Sequence, residues 1–255
     1  MAELVELTSG KHGKLKVVDN CAVAFAARQH VMNLRVAEIG KAVSSFPVFF
    51  TKNTRTGDWA LSAVTSFEQG VNLFVENDKW TATYQPTGIQ TYPLFLMRSP
   101  KDKNGYTVGI DATSQAFSEQ QGEALFDDRG KASLYLSRVT VLLEADIKND
   151  IQTYQFMQKL EELNLFKSID IQVHYEDGSV QTLKGLHTLD EDKLQSLQNE
   201  QLSELNKTGY LIPMHAVLIS IYQLNALIKK HNVVERFTKV KKIKLELTKD
   251  AATGA

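Results

Sequence analysis

The sequence has very little cysteine and no long apolar run. Cys21 is the single cysteine among 255 residues, which excludes an internal disulfide framework and a cysteine-rich metal site. No apolar stretch reaches the roughly 20 residues that a membrane-spanning helix needs. The first residues, MAELVELTSGKHGK, lack the basic and then apolar profile of a secretory signal peptide. We therefore expect a soluble, cytoplasmic protein without a membrane span.

The sequence also lacks an excess of either charge and lacks a catalytic motif. Its 29 basic and 30 acidic side chains give a net charge of -1, so no overall field attracts nucleic acid. The segment GKHGK around His12 resembles a phosphate-binding loop only superficially, because a Walker loop needs four residues between its glycines and a Ser or Thr after the lysine. The sequence therefore predicts no nucleic-acid partner and no cofactor.

The residue patterns predict an α+β fold, with antiparallel hairpins in a β-rich N-terminal half and a second hairpin in a helical C-terminal half. A chain of 255 residues that is 43% hydrophobic can bury a full core. Apolar residues spaced by three and four predict helix from Lys131 to Leu165, with a bend or a break near Asn149. We expect a single domain over 1–255 with three regions: β-rich 10–130, helix-rich 131–235 and a basic extension 236–255.

The stretch from Asn72 to Leu96 gives the clearest prediction of local structure. Asn77 and Asp78 lie between two β-prone runs and can form the central pair of a two-residue hairpin turn. That turn predicts the cross-strand pairs Glu76–Lys79, Val75–Trp80, Leu73–Ala82 and Val71–Tyr84. A slip of one residue would move every side chain to the other face, so this register places the Trp80 and Tyr84 rings on one apolar face.

The loop after this hairpin is bracketed by Pro86 and Pro93. Proline fixes φ and biases the preceding residue toward extended geometry, so the loop is expected to be ordered. Aromatic rings offer a large contact area at low entropic cost, and their polar tips orient a ligand. One hypothesis is a ligand-binding surface formed by Trp80, Tyr84, Gln85, Pro86, Gln90 and Tyr92. The alternative is a rigid connector whose aromatic rings pack on the core.

A second hairpin is predicted around Asp177 and Gly178, a pair that is typical of a two-residue turn. Alternating apolar residues before the turn predict a half-buried strand: Ile169, Ile171, Val173 and Tyr175. The two-residue turn places the polar residues on the opposite face: Gln172, His174, Glu176, Ser179 and Gln181.

The spacing of His174 and Glu176 raises the possibility of a metal site. A His-x-Glu pair with a distal histidine forms the facial triad of non-haem iron oxygenases, and His215 or His231 could supply that third ligand. The predicted register instead places His174 and Glu176 on a polar face next to a turn, and both distal histidines lie in a predicted helix. We therefore expect no metal, with His174, Glu176 and His215 as the alternative set.

The segment after Pro213 predicts a long helix up to Ile228. Apolar residues also occupy a second side of this helix, at Ile219 and Tyr222, so we expect it to be covered on more than one side. His215 lies on that second side and is expected to be a packed or hydrogen-bonded core histidine.

The C-terminal segment from Lys229 to Asp250 contains eight basic and three acidic residues. Alternating Ile243, Leu245 and Leu247 predict a strand with a basic outer face. Lysines on an edge strand discourage aggregation. We favour that interpretation over a surface for an acidic partner or nucleic acid.

A series of landmarks extends along most of the chain. They are the FPVFF block at Phe46 to Phe50, Asn72-Leu73-Phe74, Trp80, Tyr84-x-Pro86, Tyr92-Pro93-Leu94-Phe95, Ala124-Leu125-Phe126 with Gly130, the Asp177-Gly178 hairpin, and the helix from Gly209 to Ile228. Their order and spacing resemble the SapC family of bacterial proteins. The basic segment after Arg236 looks like an addition to that pattern.

The resemblance implies no established enzyme activity and no catalytic residues. Family members are associated with TonB-dependent receptors and with flavin-dependent tryptophan-halogenase-like proteins, which implies a role in nutrient uptake or in the modification of peptides and metabolites. We expect a non-enzymatic binding or accessory protein that holds a peptide, a small molecule or a partner protein. The alternatives are a non-haem iron oxygenase and, from the family name, a surface-layer or envelope component, although the sequence shows no export signal.

Overall fold

The computed structural model describes residues 4–100, 102 and 105–248. Its strands are β1 (Val5–Glu6), β2 (Lys16–Val17), β3 (Val31–Leu34), β4 (Val48–Lys52), β5 (Trp59–Val64), β6 (Val75–Glu76), β7 (Lys79–Trp80), β8 (Leu94–Arg98), β9 (Tyr106–Ile110), β10 (Phe117–Ser118), β11 (Glu123–Ala124), β12 (Phe166–Tyr175), β13 (Val180–Leu189) and β14 (Val240–Leu247). Its α-helices are α1 (Ser9–His12), α2 (Cys21–Ala26), α3 (Ile39–Ala42), α4 (Thr87–Gln90), α5 (Leu134–Glu162), α6 (Glu191–Gln195), α7 (Asn199–Lys207), α8 (Leu211–Ser220) and α9 (Gln223–Val233). A 3-10 helix covers Val36–Glu38.

This arrangement confirms the predicted α+β class, with antiparallel sheets in the N-terminal half and helices in the C-terminal half. The chain forms two compact units. Unit 1 comprises the residues up to Ala27, Val75–Thr81 and Gln85–Ile151, and unit 2 comprises Arg28–Phe74, Ala82–Tyr84 and the chain from Gln152 onward. The expectation of a single domain is not tested by this division and stays a prediction.

Unit 1 contains two three-stranded antiparallel sheets, in the orders β1-β9-β8 and β10-β2-β11, and the two-stranded sheet β6-β7. The core of this unit combines strand residues with one face of α5. Leu94 and Ile110 face each other in the β8–β9 ladder and are fully buried. The helix residues Leu136, Val139 and Leu143 belong to the same cluster, and their spacing of three and four places them on one side of α5.

The first hairpin forms with the predicted turn but with a shorter ladder. Val75 pairs with Trp80 and Glu76 with Lys79, and Asn77 and Asp78 both have positive φ, 51° and 57°, as a type I′ turn requires. The predicted pairs Leu73–Ala82 and Val71–Tyr84 are not part of this ladder. The reason is that the chain before Val75 turns away, since Leu73 N donates to Thr65 O over 3.1 Å.

Unit 2 is built on a six-stranded sheet in the order β14-β12-β13-β4-β5-β3. The FPVFF block supplies the first three residues of β4 near the centre, and Phe46, Phe49 and Phe50 are fully buried. Helix α8 packs near β4, and the Ser220 hydroxyl at its end accepts a hydrogen bond of 2.9 Å from Val48 N. The sheet thus carries an aromatic core.

The second hairpin has a different register from the predicted one. His174 pairs with Val180 and Val173 with Gln181, so the loop contains three residues rather than two. Gly178 has φ of 88°, the left-handed position that ends a three-residue hairpin loop. The shift moves Gln181 from the predicted polar face to the face of Tyr175, where its side-chain oxygen accepts a 2.6 Å hydrogen bond from the Tyr175 hydroxyl.

Two helix predictions are also wrong in detail. Helix α5 runs unbroken through Asn149, and the predicted last long helix is divided into α8 and α9 by a turn at Ile221 and Tyr222. The second apolar side of this region is exposed: Ile219 is 64% and Tyr222 73% exposed.

His215 is exposed as well, rather than packed in the core. Its Nδ1 lies 2.7 Å from Leu211 O.

The combined segment Leu211–Val233 is long and apolar enough, by length and composition, to cross a membrane. The core helix of a soluble protein passes the same test. The expectation of no membrane span therefore stays a prediction.

The predicted C-terminal strand is confirmed as β14, which pairs with β12 at the edge of the six-stranded sheet. Lys242 and Lys244 are exposed on it. The last part of the predicted basic extension, 249–255, lies outside the described residues.

Candidate functional site

The loop from Pro86 to Pro93, named the aromatic loop below, lies in unit 1 and contains the short helix α4. Pro86 precedes this helix, and its carbonyl accepts hydrogen bonds from Ile89 N and Gln90 N, at 2.9 and 3.1 Å. The Gln90 side chain donates to Gln85 O over 2.5 Å. The peptide bond between Tyr92 and Pro93 is cis. The loop therefore satisfies several of its polar groups internally.

Tyr92 makes its contacts inside unit 1. Its ring stacks on Phe25 with a centroid distance of 4.1 Å and an interplanar angle of 8°. Phe95 meets the ring edge-on at 6.0 Å, and the Tyr92 hydroxyl lies 3.5 Å from Ser114 Oγ. These contacts match the alternative in which the loop packs its own aromatic rings on the core. The ring is half-buried, so part of it still faces solvent.

The other two predicted aromatic residues belong to different units. Trp80 is half-buried on β7 in unit 1. Tyr84 belongs to unit 2, where its hydroxyl donates to Glu38 Oε1 over 2.6 Å. Glu38 is only 5% exposed, and its second oxygen accepts from Arg35 N over 2.7 Å. The Tyr84 hydroxyl is thus hydrogen-bonded to a buried carboxylate within unit 2.

The residues of the alternative metal site do not form a ligand group. Among the described residues, no cluster of three or more His, Cys, Asp or Glu side chains could hold a metal ion. His174 lies on the polar face of β12, where it neighbours Val180 and Lys242. His215 lies on the exposed side of α8 and contacts a carbonyl of its own helix.

A groove of about 530 Å³ lies within unit 2, a volume typical of ligand sites, which range over roughly 300–1,000 Å³. Three segments that are distant in sequence form it. They are the start of the 3-10 helix and α3 (Val36, Ala37, Gly40), the C-terminal part of α5 (Gln152, Gln155) and the turn from α7 into α8 (Thr208, Gly209, Tyr210, Ile212, Pro213).

Local backbone chemistry positions the walls of this groove. Gly209 has φ of 75°, the left-handed conformation that commonly ends a helix, and Tyr210 N donates back to Leu205 O over 2.9 Å. This turn brings the Tyr210 ring edge-on to Phe156 at 5.1 Å. On the opposite wall, Val36 N donates to Thr153 Oγ1 of α5 over 2.9 Å. The groove is therefore built on hydrogen-bonded segments.

The side chains that line the groove are neutral. The polar side chains of the lining are the amides of Gln152 and Gln155, the Thr208 hydroxyl and the Tyr210 phenol. Among the described residues that line the groove, none is Asp, Glu, His, Lys or Arg. Burial raises the pKa of Tyr210, so its hydroxyl stays protonated near neutral pH. Such a lining can donate and accept hydrogen bonds beside apolar surface, but it offers no acid–base pair for catalysis.

A cluster of side chains in unit 2 surrounds Trp59, the first residue of β5. The indole Nε1 donates to Glu161 Oε1 over 2.9 Å, and Lys52 Nζ lies 3.1 Å from the same oxygen. Phe166 stacks on the indole at 3.8 Å, and the His187 ring meets it edge-on at 4.8 Å. The partially exposed indole is thus fixed by a carboxylate and two rings.

The groove could not be predicted from the sequence, although some of the helix boundaries that border it could. Pro213 was recognised as the start of a helix, and Gly209 as a landmark just before it. Nothing in the local pattern indicates that Gln152 and Gln155, more than fifty residues earlier, face the same space. Only the packing of α5 against the 3-10 helix and the α7–α8 turn brings them together.

Comparison with known proteins gives a family for this chain. The SapC family model matches residues 7–227, so the chain belongs to the SapC family. No curated protein and no solved structure matches it. The matched segment contains all ten groove-lining residues and all six residues of the predicted aromatic surface, and it ends before β14.

Proposed function

We propose that this SapC-family protein is a binding or accessory protein and that the groove of unit 2 holds a neutral peptide segment or a small molecule of similar chemistry. The neutral lining of the groove carries the proposal. The amides of Gln152 and Gln155 can each donate and accept, as the groups of a peptide backbone require. Ile212, which is 76% exposed beside them, offers apolar contact for a side chain.

This proposal is compatible with what the family implies. An accessory protein that works with a TonB-dependent uptake system or a tryptophan-halogenase-like enzyme would handle peptides or small metabolites. Such a protein needs a binding site but no catalytic residues of its own. The groove provides uncharged hydrogen-bonding groups together with apolar surface, which is the usual composition of a ligand site.

The part of the predicted aromatic surface that lies in unit 1, formed by Trp80, Gln85, Pro86, Gln90 and Tyr92, is the second candidate for the binding site. The half-buried Trp80 and Tyr92 rings favour it, because each leaves part of an aromatic surface for contact. The internal contacts of Tyr92 and Gln90 weigh against it. We therefore rank the groove first.

A pair of glycine substitutions can separate the two sites. Gly40 lines the groove, and Gly88 lies in α4 of the aromatic loop. At either position an added Cβ meets no neighbouring atom within 4 Å. Gly40→Trp should fill the groove without disturbing the fold, and Gly88→Trp places the same side chain on the loop. Mass spectrometry of molecules that co-purify with each protein, and of neutral hexapeptides retained from a synthetic library, gives the readout.

We expect Gly40→Trp to lose the retained molecules while Gly88→Trp keeps them. A far-ultraviolet circular dichroism spectrum like that of the parent confirms that each variant is folded. Loss only in Gly88→Trp, and in a Trp80→Ala, Tyr92→Ala double variant, would move the site to the aromatic loop. Retention in all variants would refute both sites.

A further inference from the structure

Strand β14 forms an open edge of the unit 2 sheet. In the part of the chain that the structure describes, β12 is the one strand that pairs with β14. Leu245 is 44% and Leu247 63% exposed, although their β12 partners Ile171 and Ile169 are buried. An apolar row on an open edge strand is a template for pairing with another strand.

The alternation of hydrogen-bonded pairs between β12 and β14 shows which backbone groups of β14 face outward. Thr248 N donates to Ser168 O over 3.3 Å, and these two residues continue the register in which Leu247 faces Ile169. Hydrogen-bonded pairs alternate along an antiparallel ladder, so the even-numbered residues of β14 bond to β12. The N–H and C=O groups of Ile243, Leu245 and Leu247 therefore point away from β12, toward the open edge.

The start of β14 is held rigidly in place. The Asn232 side chain donates to Val240 O over 2.9 Å and accepts from Val240 N over 2.7 Å. His231 is fully buried, and its Nε2 lies 3.0 Å from Thr238 O. A strand that is already ordered loses little conformational entropy when it pairs.

The sequence of β14 is complementary to itself in one antiparallel register. With Leu245 opposite Leu245 of a second copy, Ile243 faces Leu247, so apolar residues meet on one face. On the other face Lys244 lies opposite Glu246, twice by symmetry, and Lys242 lies opposite Thr248. All three apolar pairs then use the outward-pointing backbone groups, and each can exchange hydrogen bonds across the new edge.

Neighbouring registers are unfavourable. A shift of two residues in one direction places Lys244 opposite Lys244, and the same shift in the other direction places Glu246 opposite Glu246. Like charges directly opposite each other destabilise a strand pair. A shift of one residue reverses the faces and mismatches the backbone groups. The charges of this edge therefore select a register rather than prevent all pairing.

We propose that β14 pairs with β14 of a second copy of this chain, antiparallel and with Leu245 on the two-fold axis, to form a symmetric dimer with a continuous twelve-stranded sheet. A single-strand edge is a small interface compared with the roughly 1,200–2,000 Å² of a standard one. The dimer should therefore be reversible and should increase with protein concentration.

Charge reversal tests the register. Lys244→Glu places two glutamates opposite each other, and Glu246→Lys places two lysines opposite each other, so each should lower the association constant by about tenfold or more. The double variant Lys244→Glu, Glu246→Lys restores both cross-strand pairs and should dimerise like the parent. Lys184→Glu, at an exposed lysine of β13, makes the same change in net charge away from this edge and should leave association unchanged. Sedimentation velocity of the full chain measures the constants.

A backbone variant tests the hydrogen bonds of the pair. Leu245→Pro removes the outward N–H on the two-fold axis, a position where an edge strand tolerates proline, so it should abolish the dimer while circular dichroism stays that of the parent. A parent chain that remains monomeric at about 100 μM, where even small specific interfaces associate, would overturn the proposal. A dimer that survives both single reversals, or one that the double variant fails to restore, would overturn it as well.

Discussion

At the scale of single residues, the Trp59 cluster shows how the sheet fixes a polar contact at the surface. Glu161 is exposed at the end of α5, yet it accepts hydrogen bonds from the Trp59 indole and from Lys52. The indole hydrogen bond and then the lysine hold the pKa of Glu161 below its ordinary value of 4.5. The sequence could not reveal this contact, because Glu161 lies 102 positions away from Trp59.

The lowered pKa leads to a prediction about pH. A carboxyl group whose pKa falls on folding stabilises the protein above its unfolded pKa, and that contribution is lost as the pH falls through the folded pKa. In a Trp80→Phe background Trp59 is the one remaining tryptophan. Its fluorescence should therefore show a transition with a midpoint below 4.5. Replacing Lys52 by Met should raise the midpoint, because the second cause of the shift is removed.

Glu161→Gln provides the control for this titration. The amide still accepts from the indole but carries no titrating proton, so the transition should vanish. Circular dichroism over the same pH range establishes that the fold is retained. A transition that persists in Glu161→Gln would assign the signal to another group and contradict the prediction.

At the scale of elements, the two hairpins show what turn chemistry can and cannot predict. The Asn77-Asp78 turn and its first two pairs were correct, because both residues tolerate left-handed geometry. The remaining pairs were wrong because tertiary contacts redirect the chain at Leu73. For Asp177-Gly178, the same dipeptide fits a two-residue and a three-residue loop. The Asp177 side chain accepts from Ser179 N over 2.9 Å, which contributes to the longer loop.

The first turn can be stabilised by glycine. Asp78 has φ of 57°, where glycine has no Cβ penalty, and Asn-Gly is the preferred type I′ pair. Asp78→Gly should raise the free energy of unfolding by about 0.5 kcal/mol, because the strain that it relieves slightly exceeds the cost of the greater flexibility of glycine in the unfolded chain. Urea unfolding followed by Trp80 fluorescence in a Trp59→Phe background measures it.

A branched residue at the same position is the matched control. Asp78→Val should lower the free energy of unfolding by at least about 1 kcal/mol, because a β-branched side chain is strained at positive φ. If the valine variant were as stable as the glycine variant, the turn would not have this geometry in solution.

The candidate groove also belongs to the scale of elements. Its individual boundaries, such as Gly209 and Pro213, are local and could be predicted. The approach of α5 to the 3-10 helix depends on the Val36–Thr153 hydrogen bond, which joins residues 117 positions apart. Long-range packing of this kind leaves no periodic pattern in the sequence, so the site itself could not be predicted.

At the scale of the whole molecule, the C-terminal segment is the point where the family match and the structure differ most. The family match ends at residue 227, and the basic segment after Arg236 looked like an addition. Yet β14 pairs along most of β12, and Val240 is only 3% exposed. His231 and Asn232, which also follow the matched residues, hold the chain that leads into this strand. The segment is therefore an integral part of the unit 2 sheet.

Removal of β14 should consequently destabilise the protein itself. A chain that ends at Lys239 exposes the edge of β12 and loses the buried Val240 side chain, so its free energy of unfolding should fall by about 3 kcal/mol relative to a chain that ends at Thr248. Urea unfolding at a concentration low enough to keep both chains monomeric measures the difference. The full-length Lys244→Glu variant separates the two roles of the strand, because it should weaken the dimer but keep its unfolding midpoint. Equal midpoints for the chains ending at Lys239 and Thr248 would mean that β14 adds nothing to the sheet, and the open edge on which the dimer rests would then belong to β12.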